Sequence, residues 1–450
     1  MISIAACRGT DFRTLEERIS EVRTLEELQG LYNALIEEFL RLNELYMFSE
    51  SFDRAFVCAQ LEEQWGRPDG ELYCIPYGIK DVFNTKVLPT GMGSDQWSGF
   101  KAGNNARIVD ELAERGGIVF AKTTTAEFAV HYIQAGRTLN PHDATRITGT
   151  SSAGSAVAVA CGALPVCLGT QTGGSIVRPA SFCGVYGFKP SFGAFDRTGT
   201  LKTTDTLDTI GLLGSDLYGL RKTFLSTFQK EPQYPLARRY FDALTRHRGR
   251  QTLCVAILDE QFDGFAGYDA GVQSDFRAAT KVLEAGDIRL SRIAAVEFIN
   301  EVHQLHQQIY TKSLSYYFQQ EARSGGEISA VMRAMIDAGS RISAETYVEA
   351  LRRQPVLRSQ FDAAFSDYDF LITPSTASVA PRVGELERDD TSLIWTFFGY
   401  PVVSIPAFMS DELGLPFGLQ LVGPRYADLA LLDFAAHVTT LLRNASASRW

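Results

Sequence analysis

GTSSAGSAVAVACGALPVCLGTQTGGSIVRPASFCG, residues 149–184, decides how the rest of the chain is read. Over 151–162 its side chains are small on every side of a helical turn. A helix without a polar face is buried, and small side chains let neighbouring backbone come close. LPVCLGT (164–170) follows as a short apolar run, expected as a buried strand. Then Thr172, Gly173, Gly174 and Ser175 come in succession. Paired glycines let a ligand approach the backbone. The pattern is not the G-x-S-x-G elbow of common serine hydrolases, so Ser175, if it is a nucleophile, needs a base from elsewhere.

Outward from this stretch, strands are expected at 118–123, 253–260, 369–376, 401–408 and 417–424. Helices are expected over 14–46, in two pieces broken near Thr24, and at 105–117, 270–286, 294–323, 327–338, 343–365 and 426–444. Thr14-x-x-Glu17 and Thr24-x-x-Glu27 both fit a capping box. Strands alternating with helices indicate an α/β fold. The polar, basic stretch 220–250 reads as a junction rather than a domain boundary.

The 450 residues allow a large core. A net charge of −10 argues against nucleic acid or an anionic membrane as the main partner. No apolar run reaches spanning length, and MISIAACRGTDFRTLEER lacks the basic start of a signal peptide. The seven cysteines form no C-x-x-C pair and mostly sit in apolar runs, so reduced, buried thiols in a cytoplasmic protein are expected.

Two motifs fail. GGIVFAKT (116–123) is one residue from a P-loop, but Ala121 stands where glycine is needed and bulky residues fill the loop, so it reads as a strand. His303 and His306 are spaced for a metal pair on one helix, yet no third ligand is evident, and a solvated or core pair is the plainer reading. None of His131, His142, His247, His303, His306 or His437 stands in a recognisable order as a base for Ser175. A neutral lysine can serve if burial lowers its pKa. CIPYGIKDVFNT (74–85) holds Lys80 inside an apolar run, where alone it would be an ordinary strand-end lysine. Ser151 and Ser152, alone, would be helix N-caps.

Taken together, Y-G-I-K-D, then G-x-S-S-x-G-S, then T-G-G-S with Ser175 24 residues beyond Ser151, resemble the amidase signature family. AKTTTAEFA, LNPHD, DTLDTIGLLGSDL and GLPFGLQLVGP extend the resemblance over most of the chain. It implies one large α/β/α domain over 1–450, with a central mixed β-sheet covered by helices. Within it lie an N-terminal helical segment (about 1–60), a catalytic core (about 60–220), a variable substrate-side segment (about 230–370) and a return to the core sheet (about 370–450). It implies Ser175 as nucleophile, Ser151 as a relay after a cis peptide bond, and Lys80 as base. The oxyanion hole falls to the amides of Thr172, Gly173, Gly174 and Ser175, with support from Ser152 and from Asp81, the latter acting on backbone or Lys80. No cofactor and no metal are implied. The expected partner is a small-molecule amide, with no nucleic acid and no membrane, and a homodimer is left open.

The chain departs from the family pattern in places. Thr150 and Ala153 replace glycines, Gln171 stands where many members have Asp, and Thr396 stands where members often have Asn. Arg178, three residues after Ser175, resembles the malonamidase-like branch, where the arginine faces a substrate carboxylate. The alternative is an arginine paired with a loop carboxylate of the protein itself. Trp395 and Phe398 in IWTFFGYP (394–401), with YTKSLSYYF (310–318), either border an acyl pocket or pack the core. The leading function is a small-molecule amidohydrolase. Alternatives are an amidotransferase component that hydrolyses glutamine, a carbamate or urea-derivative hydrolase, a biosynthetic acyl-transfer enzyme, and a non-catalytic binding module.

Overall fold

The computed structural model describes residues 11–45, 47–48, 52–130, 137–228, 253–258, 267–286, 288–293, 299–324, 327–385 and 390–445. Cys7, His131, His247, most of the junction 220–250 and the ends of two expected elements (259–260 and 294–298) lie outside these residues.

Ten strands among the described residues form one sheet: β1 (Pro76–Lys80), β2 (Ile118–Thr123), β3 (Val166–Gln171), β4 (Tyr186–Lys189), β5 (Thr209–Gly214), β6 (Leu253–Ile257), β7 (Ile288–Arg292), β8 (Phe370–Pro374), β9 (Val402–Met409) and β10 (Pro416–Val422). Their order is β2-β1-β3-β5-β4-β9-β10-β8-β6-β7. β1 runs parallel to β2 and β3, and β6 runs parallel to β7 and β8, whereas the middle strands pair antiparallel. The sheet is mixed and flanked by helices, as expected from the α/β reading. The central strands β4, β5 and β10 are buried along their whole length. Strands covered on both faces read as apolar runs without alternation.

The N-terminal region is two helices, Phe12–Glu21 and Leu25–Leu42. Thr24 and Glu27 make the expected capping box. The earlier box does not form: Asp11 caps the first helix by accepting the Thr14 N–H, which begins it two residues sooner. An aspartate carboxylate is a strong N-cap acceptor and wins over Thr14. The expected helix over 294–323 is described as Ile299–Tyr317 and a separate short helix Gln319–Arg323.

Helix Ala153–Ala160 is buried but for its last residue, as its composition requires. Six cysteines are described and all are free thiols. Among the described residues no helix is long and apolar enough to cross a membrane, and no group of His, Cys, Asp or Glu is arranged to hold a metal ion.

Candidate active site

Lys80 closes β1, beside β3 in a register that pairs Ile79 with Leu168. Its ammonium position is fully buried. Nζ lies 2.7 Å from Ser151 Oγ, 3.0 Å from Ser152 Oγ and 2.8 Å from Thr170 Oγ1. Three hydroxyls and no ion-pair partner surround it among the described residues. Burial pushes the Lys80 pKa well below that of an ordinary lysine, with the charge of Asp208 opposing weakly. A neutral amine offers two N–H donors and one lone pair, which three hydroxyls can satisfy.

Ser152 also engages the backbone of Thr170, accepting from its N–H at 3.3 Å and donating to its C=O at 3.2 Å. The Thr150–Ser151 peptide bond is cis, as the resemblance implies. Just before it, Gly149 has φ of 78°, and a Cβ there would sit 2.8 Å from Pro179 N. Arg178 reaches back to the same segment, with Nη2 donating to Thr150 C=O at 2.8 Å. The Ser151 segment and the helix after Ser175, Val177–Cys183, are thereby packed backbone against backbone.

Asp81 does not serve Lys80. Asp81 follows the end of β1, in the turn after Lys80, and its carboxylate meets other partners. Its carboxylate accepts from Gly91 N–H at 3.1 Å and lies 3.0 Å from Lys122 Nζ. Its support of backbone therefore falls on the loop after β1.

The stretch Thr172–Ser175 turns between β3 and its following helix. Each carbonyl and side chain along it that carries a partner is held from a different direction. Thr172 Oγ1 donates to Asp208 at 2.9 Å, and its C=O accepts from His306 Nε2 at 2.8 Å. Asp208 is itself fixed by the hydroxyls and amides of Thr203 and Thr204. A carbonyl only accepts, so His306 carries its proton on Nε2. Burial lowers His306 to about 4, which keeps the ring neutral at physiological pH. Gly173 C=O accepts from Thr396 Oγ1 at 2.6 Å. Among the described residues, the N–H groups of Gly173, Gly174 and Ser175 meet no protein acceptor.

Asp390 stands over this turn. A Cβ on Gly174 would lie 2.2 Å from Asp390 Oδ2, so any side chain there would displace that carboxylate. Asp390 Oδ2 is 3.3 Å from Arg178 Nη1.

The profile of the Amidase family matches residues 41–432. The chain belongs to that family. As an amidase-family protein it is an enzyme that cleaves amide bonds. It is 30% identical over 414 residues to a glutamyl-tRNA(Gln) amidotransferase subunit of Clostridium botulinum, covering 80% of this chain and 82% of that one. The corresponding subunit from Methanococcoides burtonii is 28% identical, with 94% of both chains covered. The native peptide amidase of Stenotrophomonas maltophilia superposes with a TM-score of 0.80 at 21% identity, over 98% of both chains, and so shares the fold.

In this amidase-family chain Trp395, Phe397 and Phe398 of IWTFFGYP lie on helix Leu393–Phe398, and Trp395 and Phe398 are fully buried. Their rings pack on Phe361 at centroid separations of 5.7 and 4.7 Å, the arrangement of a core cluster. Arg178 pairs with a loop carboxylate, as the alternative reading has it. Sequence reasoning passed over Thr170, Asp208 and Asp390, and weighed His306 only as half of a metal pair. For Asp208 a signal was present: TTDTLDT (203–209) places two acids, Asp205 and Asp208, among four threonines, a composition that suits a hydroxyl-to-carboxylate knot.

Proposed function

We propose that the chain is an amidohydrolase acting on a small-molecule amide through a Ser175 acyl-enzyme, with Ser151 as relay and Lys80 as base. The observation that carries this reading is Lys80: fully buried, its pKa pushed well below that of an ordinary lysine, and 2.7 Å from Ser151 Oγ. Neutral Lys80 takes the Ser151 proton while Ser151 takes the Ser175 proton. Ser175 Oγ then bonds to the amide carbonyl carbon, and the oxyanion lies on the free amides of Gly173, Gly174 and Ser175, with Thr172 at the edge of the hole. On collapse the C–N bond breaks. Ser151 passes its proton to the leaving nitrogen and is reprotonated by Lys80. Water, deprotonated by the same pair, cleaves the acyl-enzyme and restores Ser175. Each such preorganised amide contributes about 10²–10³-fold to the rate in acyl-transfer sites.

The test is covalent labelling with a fluorophosphonate. Label on the wild-type chain that is abolished in Ser175→Ala supports the assignment, and label that persists there overturns it. For substrate choice, the Arg178–Asp390 pair presents one charge of each sign beside Gly174. Arg178→Ala is expected to lower kcat/KM on neutral and acidic amides alike. A loss confined to acidic amides would make the arginine a carboxylate receptor.

A second reading, a glutamine-hydrolysing component of an amidotransferase, is favoured by the names of the relatives at 28–30% identity. Glutaminase turnover by the isolated chain, or co-purification with partner subunits, distinguishes it from the first.

A further inference from the structure

Two positions where the chain departs from the motif it resembles, Gln171 and Thr396, lie 225 residues apart and touch. Both are fully buried. Gln171 Nε2 donates to Thr396 Oγ1 at 2.9 Å, and that hydroxyl donates onward to Gly173 C=O at 2.6 Å. The other end of the same amide, Gln171 Oε1, accepts from the N–H groups of Ile176 at 2.7 Å and Val177 at 3.0 Å. One unbroken chain of hydrogen bonds therefore runs from the carbonyl two residues before Ser175 to the amides one and two residues after it.

We infer that Gln171 and Thr396 act as a matched pair of positioning residues that clamp the Ser175 turn from both sides. This rests on the reading of Ser175 as nucleophile. The chemistry of the two side chains is specific to the task. A threonine hydroxyl can accept from Gln171 and donate to Gly173 at once. A primary amide can accept two backbone protons on its oxygen while its nitrogen donates to the hydroxyl. Each partner fixes the other's orientation: were the amide reversed, its NH₂ group would meet the two backbone N–H donors. With Gly173 C=O drawn toward Thr396, the peptide linking Gly173 to Gly174 is held in one orientation, and with it the Gly174 N–H. Val177 N–H and Ile176 N–H hold the first turn of the helix that follows Ser175. The clamp touches no reacting atom. It sets where the nucleophile and the amides stand, and it ties them to the aromatic helix Leu393–Phe398.

Thr396→Val keeps the shape of the side chain and removes the hydroxyl, and Gln171→Met keeps the length and removes both polar ends. Each is expected to lower kcat by about 100-fold, the scale of a displaced reacting group, with KM changed less than threefold. Thr396→Ser, which keeps the hydroxyl, is expected to retain kcat within about threefold. The double variant Gln171→Met/Thr396→Val is expected to lose little more than either single one, since neighbours in one network are not additive. An aldehyde inhibitor that forms a tetrahedral adduct should weaken in parallel with kcat, while a non-reactive substrate analogue binds as before. Thermal unfolding and circular dichroism accompany each variant, so that a merely unfolded chain is recognised. If Thr396→Val folds and keeps kcat within threefold, or if the two single losses multiply in the double variant, the clamp is overturned. Wild-type chain that shows no fluorophosphonate label on Ser175 overturns the underlying nucleophile assignment instead. A labelled wild type with an unaffected Thr396→Val overturns the clamp alone.

Discussion

Lys80 ends β1, and across the β1–β2 pairing Ile79 faces Lys122 while Lys80 faces Thr123, so two lysines stand one step apart on opposite faces of the sheet. Both are fully buried. Lys122 Nζ has the Asp81 carboxylate at 3.0 Å, Phe83 C=O at 2.6 Å and Thr90 Oγ1 at 2.9 Å. Burial pulls its pKa down, and Asp81 offsets that only in part. Lys80 has three hydroxyls in place of the carboxylate and carbonyl. The same residue type at the same depth thus has a carboxylate beside it on one face and only hydroxyls on the other. Burial alone does not make a base. Burial without a compensating anion does.

The sharpest way to break this comparison is Lys80→Met. Catalysis is expected to fall by about 10⁴-fold or more, as when one member of a catalytic set acting as a unit is removed. The fold is expected to gain. In the folded chain Lys80 is neutral at pH values where the unfolded chain still holds its proton, so wild-type stability rises with pH up to the ordinary lysine range near 10.4. The variant should lose that rise and unfold at higher temperature than wild type at pH 7. An active Lys80→Met, or one that keeps the wild-type pH slope of stability, would erase the distinction between the two lysines.

Lys122→Met is expected to do the reverse. Activity per folded molecule changes little, while stability drops by about 3–5 kcal/mol because Asp81 is left buried without its cation. Replacing both, as Lys122→Met/Asp81→Leu, should recover most of the loss in denaturant unfolding. The smallest expected effect is His306→Gln, which keeps an N–H aimed at Thr172 C=O. His306 is lowered to about 4 from 6.5, so between those values the unfolded chain binds the extra proton and wild-type stability climbs with pH. The variant should show kcat within a few-fold of wild type and a flatter stability profile across that window only.

Particular residues show what was legible beforehand. The all-small helix at 153–160 and the apolar strands β2, β3, β8, β9 and β10 announce themselves because burial on every side leaves a compositional mark. β4 and β5, YGFK and TIGLLG, are short and glycine-bearing, and neither shows a period. β7, IRLSR, lies at the sheet edge with a polar, partly exposed pattern. Lys80, Ser151 and Ser152 were found through spacing shared with a family, and the structure brings the three together. The contacts of His306, Asp390 and Thr396 were not legible because they depend on packing across 134 to 225 residues of chain, which no local pattern encodes. Asp81 was expected to act on backbone or on Lys80; its carboxylate meets Gly91 N–H and Lys122, not Lys80.

The order of the sheet bears on synthesis as well as on architecture. The last strands in the chain, β9 and β10, lie in its middle, between β4 and β8. Until residues 402–422 join the sheet, β4 and β8 each lack the strand that covers one edge, the kind of surface that recruits other strands. Lys80, Ser151 and Ser175 all precede that point in the chain, whereas the hairpin β9–β10 follows it. A chain halted at that point carries Lys80, Ser151 and Ser175 on an unfinished sheet, without the strands that close it.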